Sequence, residues 1–84
     1  NQAQTIAMLK SLRKSYEDYH NVIIGDEVIK AFVSQTAKLK NRVFPDKAID
    51  IMDETAAKVR LDNVGDHGKI KIKVSDVSEV MKFL

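Results

Sequence analysis

The run Phe44-Pro45-Asp46-Lys47-Ala48-Ile49-Asp50-Ile51-Met52-Asp53-Glu54-Thr55-Ala56-Ala57 opens with a helix start and then keeps helical spacing. Proline suits the first helical position, where the amide it lacks would have no partner in any case. It also drives Phe44 out of helical geometry, which makes the boundary sharp. Ala48, Ile49, Met52, Ala56 and Val59 recur on one stripe, so a helix is expected from Pro45 to about Leu61.

Upstream, Gly25-Asp26-Glu27 opens another helix, because two acids suit the positive end of a helix dipole. Its expected buried stripe is Val28, Ile29, Phe32, Val33, Thr36 and Leu39. Val22-Ile23-Ile24 is long enough for one minimal strand. Ile6, Leu9, Leu12, Arg13 and Tyr16, with Tyr19 or His20, mark an amphipathic helix over 3–20 that stops at Asn21. Downstream, Asn63 to Gly68 is a turn-rich link. Lys69 to Val74 alternates strictly, which predicts a strand with Ile70, Ile72 and Val74 facing inward. Ser75 is expected to cap a last helix carrying Val77, Val80, Met81 and Leu84. The fold class is thus mainly α: a small bundle of about four helices with a minimal two-stranded sheet at one end. Strands this short are not stable alone and are expected to pair with each other. The pattern leaves their orientation open.

The 84 residues fit one domain. A hydrophobic share of 44% is too high for a disordered chain. Net charge is +2, from 14 basic and 12 acidic residues, far from the excess of a dedicated nucleic-acid binder. Without cysteine there is no disulfide framework, thiolate metal site or cysteine nucleophile. No apolar run approaches the roughly 20 residues that span a bilayer. Neither nucleic acid nor membrane is expected as a partner. The two ends, at Asn1 and Leu84, read as cuts from a longer chain.

The start of the Pro45 helix is the main candidate for chemistry. Unpaired amides and a partial positive charge there suit a phosphate or a carboxylate, and Lys47 adds a full charge. The same residues also simply begin a helix well, with Asp46 satisfying the dipole. Asp50, Asp53 and Glu54 form an acidic group. Its bland reading, ion pairs of Lys47 with Asp50 and of Glu54 with Lys58 contributing about 0.2–0.5 kcal/mol each, is preferred to a metal site. His20 and His67 lack a second ligand at metal spacing and read as helix-end and loop histidines. Met8 and Leu12, four apart, share one helix face. Such a pair is either core or a grip for a flat heterocycle, and the residues alone leave both open. No phosphate-binding loop and no apolar strand ending in Asp-Glu is present, so hydrolysis of a nucleotide by this chain alone is not expected.

Arg42-Val43-Phe44-Pro45-Asp46-Lys47-Ala48-Ile49-Asp50, continued by Asp53-Glu54-Thr55-Ala56-Ala57, resembles a distinctive segment in the small lid subdomain of the first ATPase module of Clp-type AAA+ protein unfoldases. Thr5-Ile6, Leu9 to Arg13, Tyr16-Glu17 and Tyr19-His20 are similar to the helix that opens that lid. The resemblance implies that residues 1–84 are one lid subdomain of a larger protein, closing over ATP held by a preceding large subdomain. It implies contact of Met8 and Leu12 with adenine and of Pro45 and Asp46 with base or ribose. Lys47 would stand near the terminal phosphate, although a lysine is a point charge and lacks the fork of the arginine found there in related modules. It further implies magnesium in the parent protein, a hexameric ring, protein substrates, a Clp-type peptidase as partner, and a location in the cytoplasm or an organelle matrix. The fragment alone is expected to bind neither ATP nor magnesium. The rival reading is a free-standing small helical module that binds a partner protein or a nucleic acid.

Overall fold

A computed structural model describes residues 1–40 and 45–83, with Leu39 and Lys40 described by backbone alone. The expected boundary at Phe44 and the stripe positions Leu39 and Leu84 lie outside the described residues. The elements are α1 (Gln2–His20), β1 (Val22–Ile23), α2 (Asp26–Lys40), α3 (Pro45–Asp62), β2 (Ile70–Lys71) and α4 (Val74–Met81).

Local chemistry sets the ends of α1. Asn1 Oδ1 accepts from the Gln4 amide at 2.9 Å, an N-cap that satisfies an amide with no helical partner, and the Asn1 carbonyl accepts from the Thr5 hydroxyl at 3.1 Å. At the other end Asn21 turns left-handed, φ 57° and ψ 51°, and donates its amide to the Glu17 carbonyl. Asparagine is among the few residues other than glycine that take this conformation readily.

The turn delivers the chain into β1, which pairs in parallel with β2, Val22 opposite Ile70 and Ile23 opposite Lys71. Flanking the pair, Ile70 N donates to Asn21 O at 3.3 Å and Ile72 N to Ile23 O at 3.0 Å. Parallel strands need a long crossover, and α2 and α3 supply it. Leu9, Val22, Ile24, Phe32, Met52 and Ile72 are sealed in the core.

Arg60, near the end of α3, fixes this end of the bundle. Its Nε donates to His20 O at 3.1 Å, Nη1 to Asp66 O at 2.7 Å, and Nη2 to Gly68 O at 2.9 Å and to Asn21 O. One guanidinium thus binds carbonyls that end α1 and carbonyls of the α3–β2 link, using the spread of donors that only arginine has.

Two expectations are corrected. The alternating run is a strand only at Ile70–Lys71, and α4 begins at Val74, which is 41% exposed instead of buried. Ser75 therefore lies inside the helix; Asp76 Oδ2 accepts from the Lys73 amide at 2.8 Å and holds the entry in its place. The α3 stripe is also wider than a single face, because α3 packs on α1, α2 and α4 together. Ile51 and Thr55 are buried, while Ile49 is only half-buried.

The first turn of α2 is tied to α1 electrostatically. Arg13 Nη1 reaches Ile24 O at 3.0 Å and Asp26 Oδ1 at 2.8 Å, and Lys10 stands 3.9 Å from Asp26 Oδ2. The hydrogen bond from Arg13, with Lys10 and Arg13 charges adding to it, holds the Asp26 carboxyl below the usual carboxylate range. A carboxyl depressed on folding adds stability above its unfolded pKa, about 3.9, and loses it as pH falls through the lower folded value. The stability difference between the wild type and Asp26→Asn, followed by urea unfolding, should therefore be full at neutral pH and shrink only as pH falls below the ordinary carboxylate value and through the lower folded one.

Thr55 Oγ1 is buried with no hydrogen-bond partner among the described residues. Thr55→Val keeps the shape and removes the orphaned hydroxyl, so it should raise unfolding stability by about 1 kcal/mol or more. Thr55→Ser, which keeps the hydroxyl and loses a methyl group, should lower it.

Candidate functional site

The hydrogen bonds of Arg60 and the β1–β2 pairing place the C-terminal ends of α1 and α3 at the same end of the bundle. Asp53 lies alongside, with its Oδ1 2.8 Å from His20 Nε2. Pro45 is eight residues before Asp53, about 12 Å along the helix axis, and Met8 is twelve before His20, about 18 Å. Met8 and the start of α3 thus belong to the half of the molecule away from the strand pair, while Leu12, eight before His20, stands near the middle of α1.

The two residues left open on α1 have different surroundings. Leu12 is half-buried and packed against the core, whereas Met8 is 42% exposed. One side chain anchors the helix and the other presents a polarisable thioether at the surface. Pro45 and Asp46 are exposed at the first turn of α3, and Lys47 is half-buried. Lys47 lines a cleft of about 500 Å³ with Asp50, Ile51, Asp53, Glu54 and Ala57. The carboxylate of Asp46 at the helix start offsets the positive dipole and disfavours a phosphate there. An exposed thioether and a helix start carrying an acid fit a neutral planar base and a ribose hydroxyl better than a phosphate chain.

The acidic group behaves otherwise than its spacing predicts. Among the described residues Lys58 pairs forward with Asp62 at 2.7 Å and not back with Glu54, and Asp53 pairs with His20. No group of three or more potential metal ligands occurs among the described residues. The His20–Asp53 pair joins residues 33 positions apart, so no local spacing could have revealed it.

A family model described as the AAA lid domain matches residues 1–82, and the chain belongs to that family. A probable ATP-dependent Clp protease ATP-binding subunit of Chlamydia pneumoniae is 43% identical over 63 residues, 74% of this chain and 8% of that protein. The ATP-dependent Clp protease ATP-binding subunit ClpC of Staphylococcus aureus is 48% identical over 58 residues, 68% of this chain and 7% of its own length. A solved chain described as a closed-state cryo-EM reconstruction of Hsp104 with ATPγS and FITC casein matches with a TM-score of 0.81 at 29% identity, over 99% of this chain and 14% of that one. The chain is an AAA+ lid domain homologous to parts of Clp and Hsp100 ATPases, and spans a small share of their length.

The division between Met8 and Leu12 has a direct test. Met8→Ala should change unfolding stability by less than about 0.5 kcal/mol. Leu12→Ala should cost roughly 1–2 kcal/mol, near half of the loss for a fully buried leucine. Equal losses in urea unfolding would place both side chains in the core.

Proposed function

We propose that residues 1–84 are the lid subdomain of a Clp-type AAA+ unfoldase, a fragment of a longer chain whose preceding large subdomain holds ATP and magnesium. The observation that carries this is the AAA lid domain match over residues 1–82. The exposure of Met8 beside a half-buried Leu12, in the same half of the molecule as the start of α3, supports the assignment of the nucleotide-facing side. In the parent protein ATP supplies the phosphoanhydride whose hydrolysis drives the cycle. Met8 and Leu12 offer the base an apolar edge, Pro45 and Asp46 approach the base or ribose, and Lys47 adds positive charge towards the phosphates. This chain contributes no hydrolytic group and alone holds neither nucleotide nor magnesium.

Four helices around one core make a body that turns as a unit, which is what a hinged lid requires. The change in lid angle with nucleotide state is passed to neighbouring subunits of a hexameric ring and becomes force on a protein substrate, which a Clp-type peptidase then receives. The work is placed in the cytoplasm or in an organelle matrix.

In the intact ATPase, Met8→Glu should weaken nucleotide affinity by about tenfold or more, because it sets a carboxylate against the base. Asp46→Ala and Lys47→Ala should change affinity or turnover, while circular dichroism of the 84-residue chain stays unchanged. Unaltered nucleotide kinetics in all three variants would remove these residues from the site.

A further inference from the structure

Both tyrosines of the chain line one cleft, of about 390 Å³, with Ser15 on α1 and Asp53 on α3. Tyr16 is half-buried and packed against the core, while Tyr19 is 83% exposed. An aromatic ring this open to water has no role in the core. It meets the His20 ring edge-on, with centroids 4.8 Å apart at 88°. The His20 side chain, only 11% exposed, in turn fixes Asp53 through the 2.8 Å contact of Nε2 with Oδ1. Asp53 Oδ2 makes no hydrogen bond among the described residues, and the side chain is 56% exposed. The same carboxylate borders the neighbouring cleft that contains Asp50 and Glu54. Of the nearby cations, Lys14 is paired with Asp18 at 3.1 Å, and Lys47 lies across the second cleft.

We infer that this cleft docks an arginine side chain of a basic protein segment, stacked on Tyr16 and Tyr19 with its guanidinium reaching Asp53. Tyrosine faces attract a cation, most strongly where water is partly excluded. A guanidinium also stacks flat and offers a fork of donors to a carboxylate, which an ammonium does not. His20 leaves one carboxylate oxygen for that fork and keeps the other still. The acidic surroundings favour a basic peptide and oppose a nucleic acid. Tyr16, Tyr19 and Asp53 are none of the residues assigned to the nucleotide, so docking here does not depend on that assignment.

The chain has two tyrosines and no tryptophan, so its intrinsic emission reports this cleft and nothing else. The probe is an acetylated, amidated octapeptide of alternating glycine and arginine, titrated into the 84-residue chain beside its citrulline counterpart, which keeps the shape and lacks the charge. The arginine peptide should give a saturable change in tyrosine emission and the citrulline peptide none. Tyr19→Ala and Asp53→Asn should each weaken binding by about three- to tenfold, and Tyr19→Phe should retain it. Absence of saturation, an equal response to citrulline, or wild-type affinity in both weakened variants would overturn the inference. Should Asp53→Asn unfold, the Tyr19→Ala and Tyr19→Phe pair decides alone, because that side chain is largely in water.

Discussion

Much of this small domain hangs on a single guanidinium. Arg60 binds His20 O and Asn21 O on one side and Asp66 O and Gly68 O on the other. These carbonyls belong to a helix end and to a link, places where regular structure leaves acceptors without partners. A positively charged group among them also suits the negative end of α1. Two strands of two residues each could not hold the termini of α1 and α3 together by their own ladder. With Arg60 in place, the strand pair closes a junction already tied by side-chain bonds.

That junction divides the molecule by task. One end carries the strand pair, Arg60 and the link, which hold four segments in register, with the cleft of Tyr16 and Tyr19 beside them. The other carries the start of α3 and the exposed Met8, where side chains are available to another body. Between them the core is continuous from Leu9 through Phe32 and Met52 to Ile72. A body packed this way does not deform gradually, so whatever approaches one end moves the whole. AAA lid domains are the family in which the chain falls.

The legible part of the fold was what local chemistry controls. The Asp26–Glu27 pair opened α2, helical spacing carried α3 from Pro45 onward, and the apolar spacing predicted four helices and two minimal strands. What local pattern could not carry was anything decided by distant partners. The strict alternation from Lys69 to Val74 looked like one strand, but Asp76 captures the Lys73 amide and starts α4 early. The stripe of α3 widened because three helices cover it, and a count of spacing on one helix has no knowledge of how many neighbours it meets. Arg60 and the His20–Asp53 pair link positions 39 and 33 residues apart and leave no periodic trace. At the candidate site, Met8 and Leu12 were indistinguishable by spacing, and only packing separated them.

The parallel pairing of β1 and β2 also sets an order of assembly. Val22 and Ile70 are 48 positions apart, with two whole helices between them. Bringing such distant segments together carries a loop-closure cost that grows slowly with length, and a ladder of two residue pairs does little to offset it. The helices and their contacts must therefore form first and hold the ends close, and the tiny sheet closes afterwards. A chain still emerging from synthesis would have α1 and α2 packed together before the partner of β1 existed. Until then the open edge of β1 would be exposed to any other extended strand nearby.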